Sequence, residues 1–119
     1  MKFMLLCYDD EQAWKKAGDA AHREAINEAV QLTHELHAKG QYIMAAPLHS
    51  ASAATSVRIR DGKRSVLDGP FAETKEFLGG FYLIDVKDRE EAIAIAARHP
   101  GARLGTVEVR PLMEIEGLP

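Results

Sequence analysis

The chain has 119 residues, 46% of them hydrophobic and 28% charged, with 15 Lys and Arg against 18 Asp and Glu. That length suits one domain whose core needs neither metal nor disulfide, and the composition excludes a disordered tail, a collagen-like repeat and a disulfide scaffold. A formal net charge of −3 argues against the phosphate backbone of a nucleic acid as main partner, and no run approaches the ~20 apolar residues of a membrane-spanning helix.

Phe3–Tyr8 is an apolar run cut off by Asp9, Asp10 and Glu11, which predicts a buried strand rather than a secretory signal. The single cysteine, Cys7, lies inside it. One thiol forms no internal disulfide, so Cys7 reads as a small buried hydrophobe of a reducing, cytoplasmic protein. His22–Lys39 has helical spacing: Ala25, Ile26, Ala29, Val30, Leu32, Thr33 and Leu36 share one face, opposite Arg23, Asn27, Gln31 and His34. Gly40 is the expected stop, and Tyr42–Leu48 reads as a second strand. In Thr55–Arg60, Val57 and Ile59 alternate with Ser56, Arg58 and Arg60. Asp61-Gly62 signals a tight hairpin turn, and Lys63–Leu67 returns as the partner strand. Asp68–Leu78 reads as irregular. Gly79–Val86 is a further strand, and Asp88 with Glu91 forms a capping box for a helix over Arg89–Arg98 that Pro100-Gly101 ends. Thr106–Leu112 closes the pattern, with Val107, Val109 and Pro111 on the covered face.

Two strand–helix–strand units, Phe3–Leu48 and Gly79–Leu112, thus flank a hairpin. Right-handed crossovers in both place the two helices on one face of an antiparallel sheet of roughly five strands, an α+β sandwich of the ferredoxin-like kind. Two helices cover one face only. Phe3, Leu5, Val57, Ile59, Phe81 and Leu83 offer more apolar strand surface than that, so a homodimer joined through sheet faces or strand edges is expected.

Asp68-Gly69-Pro70-Phe71-Ala72-Glu73-Thr74-Lys75-Glu76, followed by Leu78-Gly79-Gly80-Phe81-Tyr82-Leu83-Ile84, resembles the signature of the DGPF branch of the YCII-related family. Ala53–Arg58, His99-Pro100-Gly101-Ala102 and Val107–Pro111 extend the likeness across nearly the whole chain, as one domain over residues 1–119. The resemblance implies a dimeric α/β barrel of the ferredoxin-like type, with the wider family's His–Asp pair in a pocket at the dimer cleft. It implies lyase or dechlorinating activity on small hydroxylated rings in a few relatives, and a link to sigma factors of the extracytoplasmic-function type. This chain departs from that pattern: the family histidine falls near Ala29, and His99 replaces the aspartate before the proline.

The residues themselves nominate a site where the Asp68–Glu76 loop meets the open sheet face. Asp68 is the candidate acid or base, set in a bend by Gly69 and Pro70, and its alternative role is an Asx-type turn accepting backbone N–H groups. His49, just past a strand end, is its candidate proton partner. Arg58 or Lys75 would bind an anionic oxygen of the substrate, although Glu73 and Glu76 temper the field of Lys75. Phe71 reads as a core anchor beneath the loop, with a substrate-stacking ring as its alternative role. His34 and His37 have metal-compatible spacing without a third ligand, His22 reads as frayed, and His99 reads as an imidazolium favoured by its helix dipole. No phosphate-cradling glycine loop, serine elbow or metal motif is present, so neither cofactor nor metal is implied. Three functions follow as expectations: a small-molecule acid–base enzyme of lyase or hydrolase type, a non-catalytic small-ligand binder, and a regulatory partner of a sigma factor.

Overall fold

Side-chain alternation in the first strand sets the layering of the molecule. In the computed structural model, which describes residues 1–72 and 74–119, β1 (Lys2–Asp9) buries Phe3, Leu5 and Cys7 and turns Met4, Leu6 and Tyr8 to the opposite face. Two helices follow, α1 (Glu11–Ala17) and α2 (Asp19–Ala38). The Asp10 carboxylate caps α1 by accepting from the Gln12 amide at 2.9 Å. Gly18, at φ 94°, turns the chain into α2. The buried stripe of α2 is Ala25, Leu32 and Leu36. It is narrower than the apolar face written in the sequence, because Ile26 and Val30 stay about half exposed, at 49% and 50%.

Next come β2 (Tyr42–Pro47), a single 3-10 turn (Ala51–Ala53), β3 (Thr55–Arg60) and β4 (Lys63–Asp68). After them come β5 (Phe77–Asp85), α3 (Arg89–Arg98), α4 (Gly101–Leu104) and β6 (Gly105–Pro111). Asp88 accepts from the Glu91 amide at 2.9 Å, and the Glu91 carboxylate accepts in return from the Lys87 amide and from Gln41 Nε2. This reciprocal cap starts α3, which buries Ala92, Ile95 and Ala96. The helix ends at Arg98, just before Pro100-Gly101, as expected, and a separate turn that was not foreseen, α4, intervenes before β6.

The main sheet has four strands in the order β2-β5-β1-β6, every neighbouring pair antiparallel. The connection from β1 to β2 skips over β5, and that from β5 to β6 skips over β1, so the two strand–helix–strand units interlock. Helices lie against one face, closing a core of Phe3, Leu5, Leu32, Leu36, Tyr82, Ile84, Val86 and Ile95. Val107 and Val109 pack against it as expected, whereas Pro111 is exposed. Strands β3 and β4 form a sheet of their own rather than extending the main one. Their turn uses Asp61 and Gly62, both at positive φ (52° and 74°), which gives a ribbon the twist its strands require.

Among the described residues no second layer covers the other face of the main sheet. Phe3 and Leu5, expected to contribute there, are 1% exposed beneath the helices. The open face is instead Met4, Leu6 and Tyr8 of β1, Phe81 and Leu83 of β5, and Met44 and Ala46 of β2, bordered by Thr106, Glu108 and Arg110 of β6. The chain is correspondingly flat, 47 × 46 × 19 Å. Its radius of gyration, 16.2 Å, exceeds the roughly 13–14 Å of a compact chain of this length.

Candidate functional site

Asp9 ends β1, between β5 and β6. Tyr8 pairs with Leu78 while Cys7 pairs with Gly80, so Gly79 is the extra residue of a bulge in β5. A Cβ on Gly79 would meet Asp9 Oδ1 at 3.0 Å, and glycine there clears the space that the carboxylate occupies. Gly105, at the start of β6, approaches as closely. A Cβ on it would meet the Tyr8 carbonyl oxygen at 2.1 Å and Glu76 Oε1 at 3.1 Å. Two glycines far apart in sequence thus open one corner of the sheet.

Trp14, on α1, reaches back into that corner and donates its indole N–H to Asp9 Oδ2 at 3.0 Å. The His22 ring lies against Trp14, centroids 5.4 Å apart, so this residue is packed rather than frayed. Burial raises the Asp9 pKa above its ordinary value. The Trp14 hydrogen bond pulls it back down, the carboxylates of Glu11 and Glu76 push it up, and His22 lowers it. A carboxyl shifted towards neutrality while still open to solvent is suited to exchanging protons with a substrate.

His49 is held near the same end of the sheet by its neighbours. The Leu48 amide donates to the Gly79 carbonyl at 2.8 Å, while Ser50 Oγ and the Ala51 amide donate to the Glu11 carboxylate at 3.0 and 2.9 Å. Asp68 sits elsewhere, exposed at the end of β4 opposite Thr55. Among the described residues no hydrogen bond joins Asp68 to His49, and none reaches the Asp68 carboxylate. The bend after it is held by the Gly69 amide on the Ala54 carbonyl at 2.6 Å and by Ser56 Oγ on the Gly69 carbonyl at 2.9 Å. The Asx-type turn is therefore absent: backbone and a serine do the work assigned to the carboxylate. Arg58 is exposed on β3 opposite Ser65, and Lys75 is exposed in the loop before β5. Phe71 is 77% exposed, which overturns its reading as a core anchor. Glu73 lies outside the described residues.

Two other readings change. His99 does not act as a dipole-stabilised cation: its Nδ1 accepts from the Gly101 amide at 3.0 Å, its ring packs edge-on against Tyr82 at 5.4 Å, and burial lowers its pKa. Cys7 is buried and its thiol is pushed up to about 11, so it has no nucleophilic character at neutral pH. Behind Trp14, a groove of about 300 Å³ runs between α1, α2 and α4. Its one arginine, Arg103, is already engaged by Glu28 through both terminal nitrogens, at 3.0 and 2.7 Å. Among the described residues no group of three or more His, Cys, Asp and Glu side chains could hold a metal ion, and no helix is long and apolar enough to cross a membrane.

The Asp9 corner was not foreseen, since an acid closing an apolar run reads only as a strand terminator. A signal was nevertheless present in the lone tryptophan five residues further on and in the paired Gly79-Gly80.

Comparison with known proteins agrees with the signature segment. The family model described as the YCII-related domain matches residues 1–116. An uncharacterized protein of Rhizobium meliloti (strain 1021) is 38% identical over 117 residues, spanning 94% of this chain and 92% of that protein. The chain belongs to the YCII-related family.

Proposed function

From that membership, we propose that the chain is a single domain forming one half of a ferredoxin-like dimeric α/β barrel, with a small-molecule acid–base site at the cleft between two copies. The strand order β2-β5-β1-β6 with helices on one face supports the barrel, and the uncovered apolar face supports the dimer. The reaction is of lyase or hydrolase type, and Asp9 is the group that exchanges the proton. One observation carries this reading: a half-buried carboxyl with a raised pKa, held by an indole N–H in space that Gly79 leaves clear. His49 and His22 stand at the same end of the sheet as proton partners, and Arg58 and Lys75 are the cations available to an anionic substrate oxygen.

The test is a panel of small organic acids and hydroxylated rings, screened for thermal stabilisation and then for turnover. Asp9→Asn keeps an oxygen for Trp14 and so preserves binding, while turnover falls by roughly 10²–10⁴-fold, the usual contribution of a general acid–base. Undiminished turnover in this variant would remove Asp9 from the chemistry.

A further inference from the structure

We propose that the β3–β4 hairpin is an arm that seats its apolar face on the open sheet of a second copy, carrying Asp68 into the cleft of that copy. The inference rests on the dimer reading above and adds to it a residue supplied across the interface.

Register gives the ribbon two unlike faces. Thr55 pairs with Asp68, Val57 with Val66 and Ile59 with Arg64, so one face carries the apolar trio Val57, Ile59 and Val66, with Thr55 and Asp68 at the base of the arm and Arg64 near its tip. Ser56, Arg58, Arg60, Lys63 and Ser65 lie on the other, with Leu67. Val57, Ile59 and Val66 are 60%, 58% and 52% exposed. An alternating pattern of this kind belongs to a strand covered on one side, and a two-stranded ribbon alone is marginal in water. Among the described residues nothing covers this face.

Charge and shape select a second copy as the occupant. Arg58, Arg60, Lys63 and Arg64 crowd the hairpin tip, and none forms an ion pair among the described residues. Only two of the 18 acids, Asp61 and Asp68, lie in the hairpin, so the rest of the chain carries an acidic surplus that attracts this tip. That body also presents an uncovered apolar sheet, and its flatness leaves room for the arm. The base of the arm is fixed by the Gly69–Ala54 and Ser56–Gly69 hydrogen bonds, so Asp68 is presented in one orientation.

The experiment uses the full chain in a Cys7→Ala background. Chains carrying Val66→Cys and chains carrying Leu83→Cys are unfolded together, refolded and treated with a short bis-maleimide. A covalent heterodimer between the two variants is expected. Light scattering of the wild type should give the dimer mass, with Val57→Lys weakening dimerisation at least tenfold and the outward-facing Ser65→Ala leaving it unchanged. If cross-links join only Leu83→Cys chains to each other and Val57→Lys remains a full dimer, the arm is refuted while the sheet dimer stands. A wild-type monomer would overturn both.

Discussion

At the scale of single residues, buried polar atoms decide which groups this chain can use. His99 spends its Nδ1 lone pair on the Gly101 amide and packs its ring on Tyr82, and protonation would forfeit the Gly101 hydrogen bond in a site where burial already disfavours charge. Glu28 pulls its pKa upward and Arg103 downward, but burial dominates and the folded value lies below 6.5. The unfolded chain therefore binds the proton first. His99 contributes its full stabilisation above about pH 6.5 and loses it as pH falls towards the folded value. His99→Asn retains an acceptor for Gly101 without a titrating ring, so the difference in urea stability between wild type and variant should shrink below pH 6.5. Parallel curves would mean that the ring does not titrate in this range. The pattern of residues revealed His99 as a helix-terminal group but not the sign of its charge, because that depends on Tyr82 and on burial, neither of which is local in sequence. Asp9 was obscured for the same reason: the indole that holds it is close in sequence, but the glycine that makes room for it, Gly79, lies on β5.

At the scale of elements, the strongly periodic or capped segments were legible and the weakly patterned ones were not. Strands β1 to β6 and helices α2 and α3 fall where alternation, Gly40, Asp61-Gly62 and the Asp88 cap place them, within a residue or two at most ends. Helix α1 was missed because it has seven residues and no buried side chain. Its Asp10 cap and its bond from Trp14 to Asp9 hold it in place, and no apolar stripe announces either. The β3–β4 ribbon was legible as a hairpin, but its separation from the main sheet was not, since alternation does not say which sheet a strand joins. The cap of α3 gives an element-level prediction. Asp88→Ala removes the acceptor for the Glu91 amide and should cost about 1 kcal/mol in chemical denaturation. Asp88→Asn, which keeps the acceptor, should recover most of it.

At the scale of the whole molecule, the open sheet face is the dominant fact. Leu6 lies on it, directly across from Glu108 on β6. Leu6→Lys would gain an opposite charge to face within one chain, yet would bury a cation between two sheets in the proposed dimer. The variant should fold with near wild-type secondary structure while sedimenting as a monomer, because breaking an interface with an unmatched buried charge costs roughly 3–5 kcal/mol. A dimeric Leu6→Lys would place the interface elsewhere.

The interlocked strand order has a further consequence, for the order in which the chain can assemble as it leaves the ribosome. Strand β1 emerges first, but its neighbours are β5 and β6, and its ladders join Lys2 to Asp85 and Phe3 to Pro111. No early strand can pair with it. Helix α2 and the hairpin can form from local contacts while β1 waits, apolar on both faces, for strands synthesised about 80 to 110 residues later, a span set by those same pairings. Folding of this domain is therefore a late, cooperative event gated by the arrival of β6, and the interval before it is when β1 is open to misassociation.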